Sequence, residues 1–386
     1  VCQQYPIMPY QWRKWYVPSS HRHAGFDGRE KAFANDPLAS GPYKVKKWLP
    51  GDRLILEANP YYWRKGYPKN SGAELIHIPD ENTRVSMLLA GEIDAVRGVP
   101  WSQVASLKKR SGISVPLEPS TIIFMSLLNH KGEAFSNVRV RQAAAYALNK
   151  EAIAKAITFG NAKVANTTIP GALTFHHKEF PGLRYNPEKA KQLLDSAGYA
   201  DKDNDGIRND PKTGQNMVLE LIVPSDWGTE LKLATLMKEQ LKDIGIEIAL
   251  KTLDLDTYYA FIYAPAEDKW DFAIGEEEPG PNADWIWELS RSYGGGGEGW
   301  NQSYYDNAEF DELLDSYLAE TDMAKRKEYS FAMQQMIAQD LPYAIMLRPD
   351  IIDPVRIDKW QGYVQTMGGV ITWINPWTMF NIKPKK

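Results

Sequence analysis

The chain holds a single cysteine, Cys2, in 386 residues, so no internal disulfide is available. Cys2 lacks the small apolar run that precedes a lipidated cysteine, and it reads as structural. Long hydrophobic runs are also missing. The longest, Ile122 to Leu128, fits a buried strand and falls far short of a bilayer span. Histidine is scarce: His21, His23, His77, His130, His176 and His177 include one adjacent pair and no His-Glu-x-x-His helix. His176-His177 lies in a loop after Pro170 and reads as a surface feature. No phosphate loop, Gly-x-Ser-x-Gly elbow or cysteine-nucleophile context occurs, which argues against the corresponding enzymes. Nor does one sign of charge dominate. Lys and Arg number 45 against 49 Asp and Glu, for a net charge of −4, which argues against a polyanionic partner such as nucleic acid.

What is present is ordinary in bulk, with 43% hydrophobic and 24% charged residues, as in soluble globular proteins. The length is too great for one compact core and suggests two lobes. Aromatics are plentiful, with 13 Trp and 20 Tyr, and they serve either a core or a pocket for sugars and peptide side chains. The final Lys383-Pro384-Lys385-Lys386 reads as a solvated tail.

Local patterns define an α/β chain without internal repeats. From Asn35 to Trp63, period-2 runs on either side of Pro50-Gly51-Asp52 make a hairpin. Thr83 to Leu89 is helical with Gly91 closing it, and Ile93 to Val96 starts a strand. Ser136 or Asn137 caps a helix from Val138 to Leu148, and Asn149 caps Lys150 to Ile157. Asn186, Pro187 and Gly198 bound another helix. Thr229 to Ile244 is helical, Gly245 breaks it, and Ile246, Ile248 and Leu250 alternate as a strand. Helices at Ala308 to Ala319 and Met323 to Gln339 precede a strand from Tyr343 to Leu347.

Several strings carry a resemblance. NDPLASGPYKVKKWLPGDRLILEANPYYW (Asn35 to Trp63), VRVRQAAAYALNKEAI (Val138 to Ile153), YNPEKAKQLLDSAGY (Tyr185 to Tyr199), DKDNDGIRNDPKTG (Asp201 to Gly214) and YYDNAEFDELLDSY (Tyr304 to Tyr317) occur in this order. Together they resemble the family 5 solute-binding proteins of ABC importers, which bind oligopeptides, dipeptides, nickel or oligosaccharides. The resemblance implies a two-lobed α/β fold, the type II periplasmic-binding-protein fold of the large cluster with an extra domain. It places lobe one at 1–118 with 350–386 and lobe two at 119–349, with the ligand between lobes that close on it. It also implies an N-terminal portion that is missing here, since Tyr5-Pro6-Ile7-Met8-Pro9 resembles a segment well inside lobe one. Either that portion is expected as a separate chain, or this piece is expected to be poorly stable alone. The expected location is periplasmic or extracellular, with a membrane anchor supplied by the absent segment.

The stretch WDFAIGEEEPGPNADWIW (Trp270 to Trp287) occupies the pocket-lining position of that family. Peptide-binding members place an Asp there for the peptide amino group, whereas this chain offers Glu276, Glu277 and Glu278. One of these carboxylates binds a ligand ammonium or sugar hydroxyls, or the run is a solvated acidic turn. Trp285, Trp287 and Trp300 flank the stretch, and Trp373 in TWINPW faces the cleft from lobe one. Each is a ligand-facing ring or a packing residue.

Asp201, Asp203, Asp205 and Asn209 follow the alternate-oxygen pattern of a calcium loop around Gly206, although Lys212 stands where such loops place a bidentate Glu. The loop is therefore either a structural Ca²⁺ site or a surface hairpin. The function expected is a receptor, not an enzyme: reversible capture of an oligopeptide and delivery to an ABC permease in the membrane. The alternatives are an oligosaccharide receptor of the same family and, from another class, a glycoside hydrolase, which would need two carboxylates about 5–10 Å apart.

Overall fold

The computed structural model describes residues 40–171, 173–180, 182–263, 270–277, 284–292, 301–366, 369–371 and 376–385. The chain divides into two compact units, Val1–Glu118 with Ile351–Lys386, and Pro119–Asp350. The content is mixed α/β.

In the first unit, β1 (Tyr43–Leu49) and β2 (Arg53–Ala58) form the expected hairpin. The turn closes through the Asp52 N–H and the Leu49 carbonyl at 3.0 Å, and Gly51 adopts the left-handed φ of 75° that its lack of a Cβ permits. The register jumps between Val45 and Lys47, a bulge at Lys46 that breaks the simple alternation of the first strand. Beyond the bulge Trp48 turns outward, 49% exposed. A third strand, β3 (Gly72–Ile76), adds antiparallel to β2.

Helix α1 (Glu81–Ala90) is capped by Asp80, whose carboxylate accepts from the Thr83 N–H at 2.7 Å, and closes on Gly91 at φ 78°. Its Val85 and Leu88 pack with Val96, Val99 and Ile352, and with Val104 and Leu107 of α2 (Val104–Leu107). The strand expected at Ile93–Val96 is reduced to a single bridge between Ala95 and Val355. Its partner, Val355–Arg356, is only two residues long and pairs with β4 (Ile113–Ser114). The C-terminal tail is exposed but not free. Lys383–Pro384 pairs with Trp360–Gln361, and the Lys385 N–H donates to the Lys359 carbonyl at 2.7 Å.

The second unit is built on one mixed sheet. Along the chain come β5 (Leu117–Pro119), β6 (Ile123–Leu128), α3 (Val138–Ala147), α4 (Lys150–Thr158), β7 (Ala162–Val164) and α5 (Pro187–Ser196). After these follow β8 (Val218–Pro224), α6 (Gly228–Lys242), β9 (Glu247–Leu253), α7 (Leu255–Ile262), β10 (Phe272–Glu277), α8 (Ala308–Ala319), α9 (Met323–Asp340) and β11 (Tyr343–Ile352). The sheet order is β5-β11-β6-β10-β8-β9, with β7 paired to β11. Every residue of β6 is buried, because β10 and β11 flank it and helices cover the sheet.

Asparagine caps start four helices, three of them (Asn137, Asn149 and Asn186) as read from the sequence and one (Asn307) not. Asn137, Asn149, Asn186 and Asn307 each accept an N–H of the first turn that follows. Loss of such a cap typically costs about 1 kcal/mol. Helix α6, like the short α2, starts without a side-chain cap. Trp227 precedes it and offers no side-chain acceptor.

Candidate functional site

Strands β8, β9 and β10 run parallel, so their carboxyl ends lie on the same edge of the sheet. Pro224 of β8 pairs with Leu253 of β9 at that edge, and β10 ends there at Glu276 and Glu277. In open α/β sheets ligands bind outside the carboxyl ends of the strands. Two helices begin at the same edge. Helix α6 starts directly after β8, and α7 starts after β9 with Asp254 accepting from the Thr257 N–H at 3.0 Å.

Helix α7 carries an aromatic wall. Tyr258 is buried and donates its hydroxyl to the Ile274 carbonyl of β10 at 2.6 Å, which locks the helix to the strand. Trp227 lies 5.9 Å from the Tyr258 ring, centroid to centroid, and Tyr259 stacks on Tyr263 at 6.1 Å. Tyr259 presents 40% of its surface to solvent, so part of the wall is open.

Three carboxyl groups meet this wall. Glu276 is exposed and Glu277 half-buried at the end of β10, while Glu230, in the first turn of α6, is only 5% exposed. Burial pushes the Glu277 carboxyl up to about 7, so it carries a partial proton near neutrality. The carboxylate makes no hydrogen bond or ion pair with any described side chain. Its charge is felt by Tyr259 and Tyr263, whose hydroxyls are raised first by burial. A half-buried carboxylate beside open tyrosine faces suits a cation: the ring quadrupoles and the carboxylate both attract it.

Of the residues expected from sequence, Glu276 and Glu277 therefore stand together at this edge. Trp285 and Trp287 lie in a 3-10 helix, Asp284–Ser290. Trp287 is a correction. It is 0% exposed and packs against Phe310 at 6.5 Å and Tyr317 at 6.2 Å, so its ring belongs to the core. Trp300, Trp373 and Glu278 lie outside the described residues, as do Cys2 and the Tyr5–Pro9 segment.

Sequence reading missed Glu230, Tyr258, Tyr259 and Tyr263. The signal available was LDLDTYYAFIY, in which a capping Asp254 precedes tyrosines at helical spacing.

The Asp-rich loop brings carboxylate oxygens of Asp201, Asp203 and Asp205 within 4.8 Å of one another at the surface. Asn209 is engaged in hydrogen bonds of its own. It is 3% exposed; its Oδ1 accepts the Lys202 N–H at 2.8 Å and its Nδ2 donates to Asn216 Oδ1 at 3.0 Å. The carboxylates themselves are partly engaged, Asp201 by the Gly206 N–H at 3.1 Å and Asp205 by the Ile207 N–H at 2.7 Å. The histidine pair is structural: His176 Nδ1 lies 2.7 Å from the Ile169 carbonyl, and His177 stacks on Phe331 at 4.1 Å.

Comparison with known proteins gives the same assignment as the strings. Residues 3–301 match the profile described as "Bacterial extracellular solute-binding proteins, family 5 Middle". The oligopeptide-binding protein AppA of Bacillus subtilis is 30% identical over 325 residues, covering 81% of this chain and 57% of AppA. The glutathione-binding protein GsiB of Escherichia coli K12 is 26% identical over 332 residues, covering 82% of this chain and 59% of GsiB. The chain thus spans less than two thirds of the length of these relatives.

The solved structure of Bacillus subtilis AppA in complex with a nonapeptide matches with a TM-score of 0.77 at 25% identity, covering 94% of this chain and 70% of that one. A periplasmic oligopeptide-binding protein of an ABC transporter from Thermotoga maritima matches with a TM-score of 0.81 at 26% identity, covering 98% of this chain and 74% of that one. Among the described residues no helix is long and apolar enough to cross a membrane. The chain belongs to the bacterial extracellular solute-binding proteins of family 5.

Proposed function

We propose that this chain is the solute-capturing receptor of an ABC importer and that its solute is an oligopeptide, held reversibly and passed to a membrane permease. The observation that carries the ligand class is Glu277, a half-buried carboxylate without a described side-chain partner at the carboxyl end of a parallel strand. When ionised, such a group is stabilised by a cation, and a peptide supplies one as its terminal ammonium or a basic side chain. Tyr259 and Tyr263 add faces for that cation and for apolar side chains. Relatives named for oligopeptides and for glutathione support the same class.

Binding without turnover fits these features. A receptor needs charge and stacking complementarity, which Glu277 and the tyrosine faces supply.

The test is calorimetric titration with a mixed panel of di- to nonapeptides and, in parallel, a panel of oligosaccharides. One-to-one peptide binding that Glu277→Ala weakens at least tenfold supports the proposal. Oligosaccharide binding with no response to peptides makes the ligand a sugar, and product release over hours makes the chain a hydrolase.

A further inference from the structure

Arg348 is a cation short of an acceptor. It lies on β11, past the register shift that follows Ile345, and it is half-buried. Among the described residues its guanidinium makes one hydrogen bond, from Nη2 to the Thr167 carbonyl, and no ion pair. Its Nε is buried and has no partner among those residues. Burial pushes the group down to about 9, which leaves it charged near neutrality. A carboxylate is the acceptor whose two oxygens match the guanidinium fork.

The sheet register fixes where this charge stands. Leu347 of β11 pairs with Phe124 of β6, and Phe124 pairs with Glu276 of β10. One step further along β10, Glu277 pairs with Ile123. Arg348 follows Leu347, so it stands level with Glu277 across β6, about 10 Å away at the usual strand spacing. Positions at one level of a ladder share a face, so both side chains leave the same face of the sheet. Ile123 between them is covered and uncharged, whereas Glu277 and Arg348 each keep exposed surface. An acidic and a basic group thus stand side by side, too far apart at the backbone to pair directly and open to a ligand that carries both opposite charges.

Resting on the peptide reading above, we propose that Arg348 binds the C-terminal carboxylate of the ligand while Glu277 binds its ammonium, so that the site selects short peptides with both termini free. An extended chain advances about 3.3–3.6 Å per residue, so roughly three residues match the separation of the two strands. A longer peptide reaches both charges only by folding back between them.

Calorimetric titration of trialanine with free termini, of its C-terminal amide and of its N-acetyl form tests the assignment in the parent, in Arg348→Gln and in Arg348→Lys. In the parent, amidation should weaken binding about tenfold or more. In Arg348→Gln, free trialanine should bind as weakly as its amide, while N-acetylation costs what it costs in the parent. Arg348→Lys keeps the charge without the fork and should keep part of the amidation penalty, which serves as the readout if the Gln variant does not fold. No amidation penalty in the parent, or an equal one in the parent and the variants, would overturn the carboxylate role.

Where no form of trialanine binds, propionate decides. Against chloride at equal ionic strength it should raise the unfolding midpoint of the parent and leave that of Arg348→Gln unchanged. That result sustains the carboxylate site while the peptide reading fails. Midpoints that respond alike in the two proteins would overturn the site itself.

Discussion

The Tyr258 hydroxyl donates to the Ile274 carbonyl at 2.6 Å, with both groups buried, and this bond ties α7 to the strand that ends in Glu276 and Glu277. It is a side-chain bond from the aromatic wall to the strand that carries the acidic end, so it couples stability to the geometry of the site. Tyr258→Phe should lower stability by about 1–2 kcal/mol, the cost of leaving a buried carbonyl short of a donor. Urea unfolding of the two proteins measures it, and a difference near zero would show that the bond has no mechanical role.

Glu277 gives a pH dependence with a definite sign. Its folded value of about 7 lies above the ordinary glutamate value, so the folded state binds more protons in that interval. Stability attributable to this residue is complete below the ordinary value and lost as pH rises through about 7. Glu277→Gln should therefore be the more stable protein at pH 8, by at most about 3 kcal/mol, with the difference vanishing near pH 4. Paired thermal melts across that range check the sign. A gain for the variant at acid pH instead would contradict the burial of the carboxyl.

Trp287 and Tyr259 separate packing from recognition. Trp287 is fully enclosed, and Trp287→Ala should cost about 3–5 kcal/mol through the cavity it leaves. Tyr259 is 40% exposed, so Tyr259→Ala should leave the unfolding midpoint nearly unchanged while weakening ligand binding severalfold. Melting curves and titrations on both variants read the two effects. A melting loss confined to Tyr259→Ala would reverse the assignment.

In the first unit, Asp353 Oδ2 accepts from the Val370 and Ile371 N–H groups at 2.7 and 3.0 Å. Gly369, at φ 107°, makes room for it, since a Cβ there would lie 2.3 Å from that oxygen. Gly369→Ala should destabilise by about 2 kcal/mol or more, from backbone strain and the displaced acceptor. Asp353→Asn, which keeps an acceptor oxygen, should cost less. The order of the two midpoints is the check.

For the Asp-rich loop we propose a surface hairpin that forms without calcium. Asn209 is withdrawn into its own hydrogen bonds, and backbone N–H groups and the Asn216 amide occupy oxygens of Asp201 and Asp205. The midpoint should be the same in calcium and in a chelator. A saturable rise with calcium, abolished by Asp203→Ala, would establish the ion.

Much of the helical structure was legible because its signals are local. Asn149 before Lys150 and Asn186 before Pro187 mark helix starts through a side-chain oxygen and a fixed φ, both contained within four residues. Sheet order was not legible. Nothing near Phe272 announces that its strand lies between β6 and β8, since that pairing is set by contacts far apart in sequence. The same limit hid half of the site. Glu276 and Glu277 stand out as a charge run, but Glu230 looks like any first-turn glutamate until the fold buries it at the start of α6. Trp287 misled for the converse reason: a Trp beside a pocket segment looks the same whether its ring faces solvent or Phe310.

The central claim is that the bound solute is a peptide, and native mass spectrometry of the protein as purified, followed by fragmentation of any retained adduct, tests it most directly. The account predicts a one-to-one adduct that fragments into amino-acid residues, or, where none is retained, the same adduct after incubation with a peptide mixture. An adduct losing hexose units, or a protein that takes up no peptide from that mixture, would contradict it.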